Sequence, residues 1–299
     1  MYFTVYLLLL APAALAVAGP AVSRHLAPAA AVRVLTCLVV TAGTATVWGL
    51  SALAVAGLVN VPQVRMRLRS DPKVLAAADP VPWGFGVLAA AVLGVVVVRL
   101  LSLWWRRVGD RRVLGPVRAI PAAGDLIVVA DEHADAYALP GRPGRIVVTA
   151  GMLRTLSAEE RAVLLAHERA HLTCRHHRYA AVAQFAVLVN PLLGRLRDEV
   201  AFGIERWADE VAVEAVSSRR IATRALARAA LATACLPASP TALAYLRHRI
   251  TARVAALQGE RPVSRWHRVW PAVGAVFAIS VALADVGVAL VRCLNALAL

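Results

Sequence analysis

The chain has 299 residues, of which 60% are hydrophobic, and a formal net charge of +15. Soluble globular chains are only about 45–50% apolar, so this composition excludes an ordinary water-soluble protein. The charge is nearly all arginine, with Lys73 the only lysine. No dinucleotide fingerprint, phosphate loop or nucleic-acid module accompanies it, so direct nucleic-acid binding is not expected.

The apolar excess falls in blocks. Residues 2–18, 34–59 and 82–104 form three of them, the last uncharged from 81 to 98. Residues 269–291 form the fourth, with Asp285 its one charge. Roughly 20 apolar residues span a bilayer, so four transmembrane helices are expected. The first block lacks the basic n-region of a secretory signal, which favours a retained anchor over a cleaved peptide. The chain divides accordingly into residues 1–105 with three spans, a domain at 106–268, and residues 269–299 with the fourth span and a short C-terminus.

Arginines flank the middle region on both sides: Arg106, Arg107, Arg111 and Arg112 before it, Arg261, Arg265 and Arg268 after it. Basic flanks mark cytoplasmic ends of membrane helices. The domain is therefore expected in the cytoplasm, with both termini outside. The first loop (Arg24, Arg33) then lies inside, as the rule prefers. The second loop (Arg65, Arg67, Arg69 and Lys73 against Asp71 and Asp79) lies outside, against it. Cys37, Cys174, Cys235 and Cys293 form no CxxC pair, so a reducing compartment fits and a disulfide framework does not.

Within the middle region, LIVVA (126–130) and RIVVT (145–149) are β-branched runs around a Pro-Gly turn, which suggests a small antiparallel element. Ser157 followed by Glu160 is a capping box opening a helix. Its periodicity continues to about Arg178. Further helices are expected over 180–189, 196–216, 219–235 and 240–257. The fold class is thus a mostly α membrane protein, with a helical, zincin-like domain carrying a small β-hairpin or sheet between the third and fourth spans.

The stretch LLAHERAHLTCRHH (164–177) holds four of the eight histidines. On a helix, His167 and His171 point the same way and can share one metal ion, while Glu168 is offset and lies beside it as a candidate general base. A catalytic zinc needs a third protein ligand. His177 stands where an HExxHxxGxxH pattern would place one, but Cys174 replaces the helix-breaking glycine. Cys174 lies on the metal face a turn further on and reads better as a small buried residue. Glu205 in IERWADE would complete a His2Glu set, and Asp209, one turn later, can orient a ligand histidine. The bland alternative is that Glu205, Arg206 and Asp209 form a solvated charged face.

LAHERAHLTCRHH followed by ERWADEVAVEA resembles the gluzincin peptidases of integral membranes: HtpX-type proteases, CAAX prenyl proteases and BlaR/MecR antirepressor metallopeptidases. The resemblance implies that His167, His171 and Glu205 bind one Zn2+, that Glu168 is the general base, and that Asp209 supports the site. His176 matches a histidine frequent five residues after the second ligand. AYALPGRPGRIVVTAGML resembles the hairpin whose edge strand can pair with a substrate backbone in relatives. Three spans before the domain and one after it resemble the BlaR/MecR type, without the external penicillin-binding sensor domain.

The expected activity is a membrane-embedded zinc metalloendopeptidase, acting on a cytoplasmic repressor in regulatory proteolysis or on membrane proteins in quality control. Tyr179, His176, Arg206 and His248 are candidate oxyanion helpers. The rivals are a membrane sensor or scaffold with a structural zinc site, and a transporter built around Asp285.

Overall fold

A computed structural model describes residues 2–61, 82–113, 121, 123–233 and 240–298. The second loop, Cys235 and the His248 side chain lie outside the described residues. The protein is mostly helical, with four helices long and apolar enough to cross a membrane and one small three-stranded sheet. Such a set of helices fits a multi-pass membrane protein.

The candidate spans are α1 (Tyr2–His25), α2 (Pro28–Val59), α3 (Trp83–Val113) and α10 (Trp270–Ala298). Each extends beyond the apolar block that marks it, because the flanking residues favour helix as well. At 1.5 Å per residue, the 32 residues of α2 reach about 48 Å, well beyond an average hydrocarbon core of about 30 Å. Part of α2 instead packs on the domain.

The domain begins with β1 (Leu126–Val129), β2 (Ala136–Leu139) and β3 (Arg145–Thr149). The expected antiparallel pairing of 126–130 with 145–149 is wrong. These two runs pair in parallel, Ile127 opposite Val147, and AYAL supplies the antiparallel neighbour on the other side of β3. The sheet order β1-β3-β2 makes β2 an edge strand. AYAL is too short and alanine-rich to announce itself as a strand.

Six helices follow: α4 (Ala150–Thr155), α5 (Ala158–Thr173), α6 (His176–Val189), α7 (Gly194–Val216), α8 (Arg219–Thr233) and α9 (Pro240–Gln258). The capping box at α5 forms: the Glu160 N–H donates to Ser157 Oγ, and the Ser157 N–H to Glu160 Oε2. Glu160 is fully buried and also accepts from Arg224 Nε (2.6 Å) and Arg228 Nη1 (3.0 Å), fastening α5 to α8.

The main core crosses the expected boundary between membrane and domain. Leu8 and Leu15 of α1, Leu35 and Leu38 of α2, Leu196 and Val200 of α7, and Ile279 and Val286 of α10 belong to one buried cluster. The α7–α2 approach is close: a Cβ on Gly203 would lie 2.8 Å from Val32 Cγ2. The side chains of α3 are largely exposed, including Phe85, Leu88, Val95 and Leu101, as lipid-facing residues should be.

Candidate metal centre

The two histidines come from α5 and the carboxylates from α7, which packs across it. His167 Nε2 and His171 Nε2 are 3.2 Å apart. Glu205 Oε2 lies 3.6 Å from His167 Nε2, and Glu205 Oε1 lies 3.7 Å from His171 Nε2. These three residues form a group that could hold a metal ion. Two nitrogens at roughly 2.05 Å from a tetrahedral ion would stand roughly 3.3 Å apart, so the histidine spacing already fits.

The outer contacts orient this set. Asp209 Oδ1 lies 3.1 Å from His167 Nδ1, leaving Nε2 for a metal. Arg253 reaches in from α9. Its Nη2 lies 2.6 Å from Asp209 Oδ1, its Nε 2.8 Å from Asp209 Oδ2, and its Nη1 2.9 Å from Glu205 Oε2. One guanidinium thus fixes both carboxylates while Glu205 Oε1 faces His171. Sequence reasoning missed Arg253. No local signal marks it in the sequence; one turn back, Arg249 donates to the Asp198 carbonyl and covers the Phe202 ring.

The expected unbroken helix to Arg178 is also wrong. Helix α5 ends at Thr173, Cys174 caps it, and Arg175 takes a left-handed conformation with φ 55°. Thr173 Oγ1 donates to the Arg169 carbonyl, a side-chain bond that competes with helix continuation. The turn brings His176 back over His171, with their Nδ1 atoms 3.2 Å apart. His176 is buried, and its ring also packs against Trp207. His177 and Cys174 do not join the metal group among the described residues.

Glu168 is buried beside the cluster, and the burial pushes its pKa up to about 7. The Ala138 backbone of β2 hydrogen-bonds to it and works in the opposite direction. Burial acts to lower the His167 pKa, but its contacts with Asp209 and Glu205 prevail and raise it to about 10. Burial lowers His171 to about 4. Glu205 and Asp209 resist burial and stay well below the usual carboxylate range, through His167 and Arg253 respectively.

A cavity of about 290 Å³ opens beside the cluster. Its floor holds His167, Glu168, Glu205 and Arg253. Its wall is apolar, from Met152, Leu164 and the small side chains of α8. Asp135 and Ala136, at the start of β2, form part of the rim.

Among the other candidates, Arg206 lines a different cavity and does not face this one. Tyr179 packs on Trp207, with ring centroids 6.0 Å apart.

Residues 103–201 match the model of peptidase family M48. The match covers about a third of the chain, from the last turns of α3 through the sheet, α5 and α6 into α7. Comparison with curated proteins found no match, and comparison with solved structures found none. The family match and the His-His-Glu cluster together support a membrane-associated, metal-dependent peptidase.

Proposed function

We propose that this protein is a membrane-embedded zinc endopeptidase that performs regulatory proteolysis. The carrying observation is the convergence of His167, His171 and Glu205 on one point, with a buried carboxylate, Glu168, beside them. A structural metal site has no need of that neighbouring base. The His2Glu donor set suits zinc, and the ligands are His167, His171 and Glu205. When bound there, zinc lowers the pKa of a water and polarises the scissile carbonyl.

The chain's own residues do the rest. Glu168 takes the proton of the attacking water and delivers it to the leaving amine. Asp209 accepts from His167 Nδ1 and holds that ring in the ligating tautomer. Arg253 holds Glu205 and Asp209 in place. The free edge of β2 takes up the substrate backbone as an added strand, and the apolar wall receives a side chain.

In this reading the domain, about residues 106–268, faces the cytoplasm and both termini lie outside, which the arginine flanks support. A cytoplasmic repressor or a membrane protein is then the natural substrate. The test is cleavage of both substrate types by wild type and Glu168→Gln in detergent. Wild-type cleavage with a loss of about 10²-fold to 10⁴-fold in the variant is expected. Full activity in Glu168→Gln would sink the assignment. Cleavage confined to the unfolded membrane protein would move the role from regulation to quality control.

A further inference from the structure

A second cavity, of about 590 Å³, lies between the last turns of α1 and the helices α7 and α9. Four arginines line it, Arg24, Arg195, Arg206 and Arg249, against two acids, Asp198 and Glu199. Both acids are engaged by residues outside that set. Asp198 Oδ1 accepts from Arg197, at 2.7 Å from Nη2, and Glu199 Oε2 accepts from Ser23 Oγ. Among the described residues, neither Arg195 nor Arg206 makes a hydrogen bond or an ion pair. Arg206 is nonetheless half-buried. The acids whose field reaches Arg206, Glu210 and Asp209, are hydrogen-bonded to Arg219 and Arg253, so its guanidinium donors stay open to a ligand anion.

The cavity also sits at a recognisable depth. The chain entering α10 is tied to the end of α1: the Arg265 N–H donates to the His25 carbonyl (2.7 Å), and Ser264 Oγ accepts from the Ala27 N–H (3.0 Å). Trp266 and Trp270 are exposed just there. Exposed tryptophans at the end of a span mark the headgroup zone of a bilayer. Pro20, Ser23 and Arg24 put the cavity mouth within two turns of that level.

We propose that this cavity binds a phosphate-bearing anion, presented by the headgroup of an acidic phospholipid or as a soluble phosphate. Arg195 and Arg206 supply the unengaged donors, and Arg24 and Arg249 add positive field. Arg206 follows Glu205 directly on α7, so the ligand would sit against the helix that carries the third member of the metal cluster.

Native mass spectrometry of the full chain in detergent tests this, with separate titrations of phosphatidylglycerol, phosphatidylcholine and inorganic phosphate. The expected result is one phosphatidylglycerol held roughly tenfold more tightly than phosphatidylcholine. The double variant Arg195→Gln/Arg206→Gln should lose that preference. Arg197→Gln, which removes a nearby arginine already committed to Asp198, should keep it. Binding of inorganic phosphate without lipid preference, lost in the double variant, supports the same site with a soluble ligand. Equal binding of both lipids with no phosphate binding overturns the proposal, as does an unchanged preference in a folded double variant. The wild-type titrations need no variant, so misfolding of the mutant cannot hide the answer.

Discussion

The two cavities beside α7 use charge in opposite ways. In the cavity of the candidate metal centre the two carboxylates of α7 are both partnered: Asp209 has His167 and Arg253, and Glu205 has Arg253 and both histidines. In the arginine-lined cavity the acids are engaged, while among the described residues Arg195 and Arg206 make no hydrogen bond or ion pair. The first is a preorganised site, rigid because removing any member strands another. The second is a site that awaits its counter-ion. The difference teaches that a charge count alone does not reveal function. What matters is which charges remain unanswered.

The sharpest way to break this contrast is to remove Arg253. Arg253→Ala would leave Asp209 and Glu205 without their shared cation, and loss of one partner from a buried pair costs about 3–5 kcal/mol. Thermal or urea unfolding in detergent would report it, and a loss under about 1 kcal/mol would contradict the interlocked reading.

A second test uses pH and metal removal. In the metal-free protein the folded His167 pKa is about 10, against an ordinary value of 6.5. Its pairing with Asp209 and Glu205 therefore stabilises the fold fully below pH 6.5, and that contribution is lost as pH rises to about 10. Glu168, raised to about 7 from 4.5, acts in the same direction at the lower end. Chelator-treated protein should melt at progressively lower temperature from pH 6.5 to 10, while the metal-loaded form, with His167 held neutral, should change far less. Parallel pH profiles for the two forms would contradict this.

The smallest effect is expected on the other side of α7. Among the described residues Arg206 makes no hydrogen bond or ion pair whose loss would strand a partner, so Arg206→Gln should shift stability by no more than about 0.5 kcal/mol. A loss as large as that of Arg253→Ala would show that the two cavities are not distinct in kind.

Much of this was legible in the sequence. The four candidate spans follow from apolar blocks that hold at most one charge each, and the α5 start from a capping box. Glu205 was readable as the candidate partner of His167 and His171 from the two motifs together and their resemblance to gluzincin peptidases; spacing within each motif does not by itself bring them together. The rest was hidden for identifiable reasons. The break after Thr173 has no glycine or proline to mark it, because Arg175 accepts a left-handed backbone that usually calls for glycine. His176 could be aligned with a motif, but its contact with His171 depends on that break. Arg253 lies 48 residues beyond Glu205 in an alanine- and arginine-rich helix, where nothing local separates it from its neighbours. The parallel pairing of β1 with β3 depends on a third strand only four residues long.

The central claim is that His167, His171 and Glu205 bind one zinc and that Glu168 does not. Its most direct test is elemental analysis of purified wild type, Glu205→Gln and Glu168→Gln after dialysis against a mild chelator. The account predicts one zinc per chain in wild type and in Glu168→Gln, and loss of zinc from Glu205→Gln. No zinc in the wild type, or equal zinc in all three, would contradict it.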